Sequence, residues 1–364
     1  MPLICHFLIG PPGSGKSTFA ASLMQLDKYK IISSDSIREQ LYGKEIIQGN
    51  WVEIEAEIIA QIVNAVTAGQ PVIYDATNAK RGWRMDMLRK IAKALTNQGT
   101  RLPQPKWVGW HLRTPLAKCQ EWNRKRSRQV PETVIEMGYQ SLKDFPPMIA
   151  EGFIAVYPVY PMREDFSIAN IADIMKNITA SAPSLNREKR QPITPHPYSR
   201  LVDFDRLMHL IALTRRDRVI SSTHKIDEIS SILTRKHGII YANKKALISD
   251  LNFLHQLGII EPAKNLAASL ALVNDKSILA SGITPPLTKD FRPHFYASLP
   301  DFQRLLRIII YLGHHQMFTS GAENTEVLIQ QLLDDDIIGE LQIDAARQDL
   351  AKIIRSYQII PEVL

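Results

Sequence analysis

Along residues 1–180, short β-like apolar runs alternate with stretches whose apolar positions recur at helical spacing. The runs are "LICHFLIG" (3–10), "YKIISSD" (29–35), "PVIYDAT" (71–77) and "KWVGWHL" (106–112). Helical patterns lie around 17–26, 51–69, 82–97 and 115–127. Strands joined by helical crossovers predict an α/β domain with a small parallel sheet flanked by helices.

Residues 181–200, "SAPSLNREKRQPITPHPYSR", hold four prolines and few apolar positions, and read as an extended, exposed linker. Beyond it the pattern is mainly helical, and it repeats. "VDFDRLMHLIAL" (202–213) matches "PDFQRLLRIIIY" (300–311), with Asp203/Asp301, Phe204/Phe302, Arg206/Arg304, Leu207/Leu305 and Ile211/Ile309 coinciding. "ALISDLNFLHQLGII" (246–260) resembles "AARQDLAKIIRSYQII" (345–360). Two related modules are predicted, 201–284 and 285–364. Their order of three helices with a turn before the third resembles a winged helix-turn-helix, whose third helix can enter a DNA groove. In the first module Lys244 and Lys245 open that helix, with Arg215, Arg216, Arg218 and Lys225 upstream; the corresponding zone of the second, "LLDDDIIGELQIDAARQDL", is acidic. The first copy could touch nucleic acid and the second could form a protein–protein or homodimer surface, or both could be packing modules alone.

Composition places the chain among soluble globular proteins, 364 residues with 45% hydrophobic and 22% charged positions. No apolar run reaches the length of a membrane span, and "LICHFLIG" runs straight into a glycine loop as a first strand would, not as a signal peptide. Cys5 and Cys119 have no metal-type spacing and read as ordinary thiols in a reducing cytoplasm. The net charge of +7 mildly favours a polyanionic partner.

Candidate chemistry begins with "GPPGSGKST", Gly10, Pro11, Pro12, Gly13, Ser14, Gly15, Lys16, Ser17 and Thr18, directly after a strand and before a helix. This is a phosphate-binding loop in the context it requires. The glycines let backbone N–H groups curl around phosphates, Lys16 should reach the β- and γ-phosphates of ATP, and Ser17 should ligate Mg²⁺. Asp35 ends the second run, Arg38 lies one helical turn on, and Asp75 ends the third run with Asn78 close behind. Asp35 could cap the helix "SIREQLYG" or face the cleft; Asp75 could close an Asx turn; Arg81 and Arg84 could be surface charges.

With "SSDSIR", "YDATN" and "RKRSRQVPETVI" following the glycine loop in that order, residues 3–160 resemble the 5′-hydroxyl polynucleotide kinases of phage and bacterial repair enzymes. The resemblance implies a four-stranded parallel sheet, a tunnel for a nucleic-acid end, and transfer of the ATP γ-phosphate to a 5′-hydroxyl of RNA or DNA. It implies Asp35 as general base, with Arg38 gripping the phosphate beside the acceptor nucleoside. Asp75 and Asn78 would act around the phosphates or the lid. Arg126 aligns with the lid arginine that touches ATP, and Arg124 and Arg128 are neighbours that could substitute. No phosphatase, ligase or HD-type motif accompanies these residues, and 201–364 lie outside the resemblance. Two other readings stay open: a small-molecule P-loop kinase of the toxin type, and a nucleotide-sensing transcription regulator whose C-terminal modules bind DNA.

Overall fold

The computed structural model describes residues 3–45, 47–98, 104–126, 128–164, 166–181, 193–216, 226–260, 265–275, 279, 287, 291–315 and 322–359. The chain divides into two compact units, Met1–Glu188 and Lys189–Leu364. None of the described helices is long and apolar enough to cross a membrane.

The first unit is a parallel sheet of β1 (Ile4–Ile9), β2 (Lys30–Ser33), β3 (Val72–Asp75), β4 (Lys106–Leu112) and β5 (Ala155–Val159), in the order β2-β3-β1-β4-β5. Its helices are α1 (Lys16–Leu23), α2 (Ser34–Tyr42), α3 (Trp51–Thr67), α4 (Arg81–Asn97), α5 (Leu116–Arg124), α6 (Glu132–Asp144) and α7 (Ile168–Ser181). Side chains alternate across each strand, so Phe7 and Ile9 pack with Ile54, Ile58 and Ile62 of α3 on one face. Leu8 packs with Phe19, Leu23, Trp110 and Ile178 on the other. Burial on both faces is why these strands read as continuous apolar runs. The fifth strand extends the expected four. Its sequence, "AVYPV", is short and contains Pro158, which an edge strand tolerates because one row of its N–H groups needs no partner.

The second unit contains α8 (Leu201–Arg216), α9 (Ile226–Lys236), α10 (Lys244–Gln256), α11 (Leu266–Asn274), α12 (Leu299–His314), α13 (Ala322–Asp334) and α14 (Ile343–Ala351). It is mainly helical, and its described residues include no strand. The repeat is genuine in three dimensions. Arg206 bridges Asp203 and Asp250 while Tyr198 donates to Asp250; Arg304 bridges Asp301 and Asp349 while Tyr296 donates to Asp349. Each copy also reaches into the other. His196 Nε2 lies 2.9 Å from Tyr296 O, Ser199 Oγ donates to Ala297 O, and the Phe302 ring stacks on His196 with centroids 4.3 Å apart. Phe204 stacks reciprocally on Tyr296.

This exchange corrects part of the linker expectation. Of residues 181–200, 182–192 lie outside the described residues, but His196, Tyr198 and Ser199 are buried in the second unit. Pro197, half-buried between His196 and Tyr198, lies in a packed segment rather than a solvated one. The basic residues expected to meet nucleic acid are also partly engaged. Arg215 donates to Ile309 O, and Lys244 pairs with Asp227; Arg218, Lys225 and the Arg216 side chain lie outside the described residues.

Candidate phosphate-transfer site

The glycine loop leaves β1 and enters α1 through two left-handed turns, Gly13 at φ 77° and Gly15 at φ 90°. A Cβ at Gly13 would sit 2.2 Å from Cys119 O, so the position also requires glycine for lack of space. Lys16 Nζ folds back to donate to Gly10 O at 3.0 Å and Pro11 O at 2.9 Å. Burial lowers the Lys16 pKa, and Asp75 opposes that shift. Ser14 Oγ is buried with no hydrogen-bond partner. Residues beyond the motif brace the loop: Thr114 Oγ1 donates to Ser14 O at 2.8 Å, Gly10 N donates to Thr77 O, and the Trp122 ring lies against Gly15. None of these braces had a local signal in the sequence.

β3 is the direct neighbour of β1, which brings Asp75 to the start of α1. Ser17 Oγ donates to Asp75 Oδ2 at 2.8 Å. Burial raises the Asp75 pKa, opposed by Lys16 and Ser17. The sequence places Asp75 at a strand end and near the phosphates, but its partnership with Ser17, 58 positions away, had no local signal. The Asx-turn alternative does not account for it.

β2 is the edge strand beyond β3, with Ser33 in register with Asp75. Ser33, not Asp35, caps α2: its side chain accepts from Asp35 N. The Asp35 carboxylate is therefore released from capping, and its Oδ1 lies 2.7 Å from both Arg38 Nη1 and Arg128 Nη1. Electrostatic coupling also ties the site together, since Asp35 and Arg126 both act on Lys16 and on Asp75.

The basic segment after β4 is a loop closed at its base by Asn123, which accepts from Val130 N and donates to Val130 O. Arg126 and Arg128 lie on this loop. Arg124 does not join them: it is exposed and paired with Glu132. The Asn78 side-chain amide is engaged by the backbone. At φ 49° it donates to Leu8 O and Ala76 O, fastening the β3 loop to β1. Arg81 and Arg84 are not surface charges. Both are buried on Glu151, and Arg84 also donates to Asn78 O, Ala79 O and Phe145 O.

The residues fit a magnesium nucleotide. The loop offers backbone donors around a cradle that side chains would fill, Ser14 Oγ lacks a partner, and Ser17 with Asp75 supplies hard oxygen donors.

A strand, glycine loop and helix beside a strand-end acid, in a small parallel sheet with a basic loop after β4, define a P-loop kinase fold. Residues 5–144 match the family model described as an AAA domain. A 59-residue stretch is 39% identical to a shikimate kinase from Corynebacterium diphtheriae, covering 14% of this chain and 34% of that protein. The chain thus spans about a third of the length of this curated relative. Among solved structures, a chain of the Pnkp1/Rnl/Hen1 RNA repair complex is similar at 21% identity, with a TM-score of 0.33 over 39% of this chain and 44% of that one. A gluconokinase from Sinorhizobium meliloti 1021 is similar at 17% identity and TM-score 0.33, over 51% of this chain and 98% of that one.

Proposed function

We propose that the first unit transfers the γ-phosphate of ATP to a 5′-hydroxyl end of RNA or DNA. The observation that carries this reading is Asp35. Its carboxylate stands at the carboxyl edge of the sheet, engaged by two arginines and electrostatically coupled to Lys16 and Asp75. A nucleotide-binding module alone has no need of such a base, whereas in-line transfer requires one.

Lys16 and the loop N–H groups would hold the β- and γ-phosphates; Ser17 and Asp75 would hold Mg²⁺, which neutralises charge on the phosphate oxygens when bound. Asp35 takes the proton of the acceptor hydroxyl as its oxygen bonds to the γ-phosphorus, and the bond from that phosphorus to the bridging oxygen breaks to release ADP. Arg126, reaching the same charges as Lys16, stabilises the migrating phosphoryl group. The second unit would dimerise the chain or present substrate to the first.

A small hydroxylated acceptor is the second reading, favoured by the 59-residue similarity to shikimate kinase. Labelled ATP and Mg²⁺ with 5′-hydroxyl oligonucleotides, and in parallel with shikimate and gluconate, separates the two. Transfer to oligonucleotides that disappears in Asp35→Ala is expected; transfer only to the small acids would replace the first reading with the second.

A further inference from the structure

Arg84 is fully buried, and each N–H of its guanidinium has a partner. Nε and Nη2 donate to the Glu151 carboxylate at 2.6 and 2.8 Å, and Nη2 also donates to Phe145 O at 3.0 Å. Nη1 donates to Asn78 O at 3.1 Å and to Ala79 O at 2.8 Å. Those last two acceptors lie in the loop 76–80, which joins Asp75 to α4. Four successive carbonyls of this loop are taken. Ala76 O accepts from Asn78 Nδ2, Thr77 O from Gly10 N, Asn78 O from Arg84, and Ala79 O from Arg84 and Ser141 Oγ. Asn78 is left-handed at φ 49°, a conformation that a non-glycine residue keeps only where its surroundings over-determine it. A buried ion pair is by itself a weak source of stability, but a fully matched polar network fixes one conformation. The conformation fixed here is that of the loop directly after Asp75, whose Oδ2 accepts from Ser17.

We propose that Arg84, anchored by Glu151, is a positioning residue for Asp75, and that affinity for the divalent cation depends on it. The inference rests on the reading of Ser17 and Asp75 as the holders of Mg²⁺. The Arg84 side chain has no exposed surface, so it reaches neither metal nor nucleotide. It acts through the loop. Nη1 sets the carbonyls of Asn78 and Ala79, the left-handed turn at Asn78 carries Thr77 O to Gly10 N, and Asp75 is held beside the start of α1. A carboxylate already fixed in place gives up little freedom when the cation arrives, and that preorganisation is affinity. Glu151, 76 positions beyond Asp75 in the sequence, thereby bears on the cation site without touching it.

The test uses the full chain with a non-hydrolysable ATP analogue, and Mn²⁺ as a stand-in for Mg²⁺ that electron paramagnetic resonance detects. Arg84→Lys keeps a positive charge on Glu151 but replaces the planar fork with a single ammonium. It is expected to weaken Mn²⁺ binding by about 10-fold, the low end for residues that support a metal's ligands. Affinity for the analogue in EDTA should stay within about two-fold, because the glycine loop and Lys16 are unaltered. Unchanged Mn²⁺ affinity, whatever the urea stability of the variant, would overturn the proposal. So would equal losses with and without the cation, which mark a general loosening of the loop. If Arg84→Lys does not fold, Asn78→Gly decides on the same criteria: it leaves the Arg84–Glu151 pair intact, admits the left-handed turn and removes the contact with Leu8 O. Asp75→Asn, run alongside, separates the two possible failures. If it too leaves Mn²⁺ binding unchanged, the metal-holding reading of Asp75 falls together with the inference; if it alone weakens binding, only the inference falls.

Discussion

Ser17 Oγ donates to Asp75 Oδ2 at 2.8 Å, joining two residues 58 positions apart at the mouth of the sheet. The contact exists because β3 is inserted between β2 and β1. If the pair holds Mg²⁺, Asp75→Asn should lower activity by roughly 10- to 100-fold, the usual cost of altering a partner around a metal. The Mg²⁺ concentration giving half-maximal rate should rise as well. A magnesium titration of initial rates on both proteins checks this.

Removing the base should separate chemistry from nucleotide binding. Asp35→Ala is expected to lower kcat by about 10²- to 10⁴-fold. Its affinity for a non-hydrolysable ATP analogue should stay within a few-fold of wild type, because on the proposed function Lys16 and the loop would carry that contact. Calorimetry beside single-turnover kinetics gives both numbers.

The pair of arginines on Glu151 should be a stability determinant. Glu151→Ala leaves Arg81 and Arg84 buried without their carboxylate, which costs about 3–5 kcal/mol. Glu132→Ala breaks only the exposed pair with Arg124 and should cost less than about 1 kcal/mol. Urea denaturation followed by tryptophan fluorescence compares them.

Buried histidines give the fold an acid limit. Burial lowers the pKa of His6 to about 3 and of His111 to about 4, the latter aided by Arg113 and Arg84; burial likewise lowers His196 to about 4. Folded values lie below the unfolded value of 6.5, so the unfolded chain gains protons first as pH falls. Stability is full above about pH 6.5 and is lost on the way to pH 3–4, by up to about 1.4 kcal/mol per pH unit for each group. Urea midpoints at pH 7 and pH 5 should differ accordingly. His6→Gln, which keeps an acceptor for Trp110 Nε1, should shallow the dependence.

β1, β3 and β4 were legible because burial on both faces makes them continuous apolar runs, and the loop because Gly13 and Gly15 admit few substitutes. β5 was not, since an edge strand with Pro158 lacks that signature. Arg84 and Arg124 show the limit of reading charges. Both sit in polar helical sequence, yet one is buried on Glu151 and the other pairs with Glu132 at the surface. Asn78 reads as a residue of the site, and the fold adds that its amide Nδ2 fastens the β3 loop to Leu8 O, a contact 70 positions apart that local spacing does not contain. His196 and Tyr198 sat in a proline-rich stretch that local composition makes a linker; their burial depends on a partner segment about a hundred residues away.

At residues 32–40 the division is clearest. The sequence by itself determined that a strand ends near Asp35, that a helix begins there, and that a phosphate loop lies upstream. Those follow from periodicity and backbone sterics, which act over a few residues. Only the tertiary structure decided what Asp35 does with its carboxylate. Ser33 takes the cap, sheet order sets Asp75 between the acid and the loop, and Arg128 arrives on Oδ1 from 93 residues away. Which of several nearby arginines meets a given carboxylate depends on chain path and burial, and neither is written in local spacing.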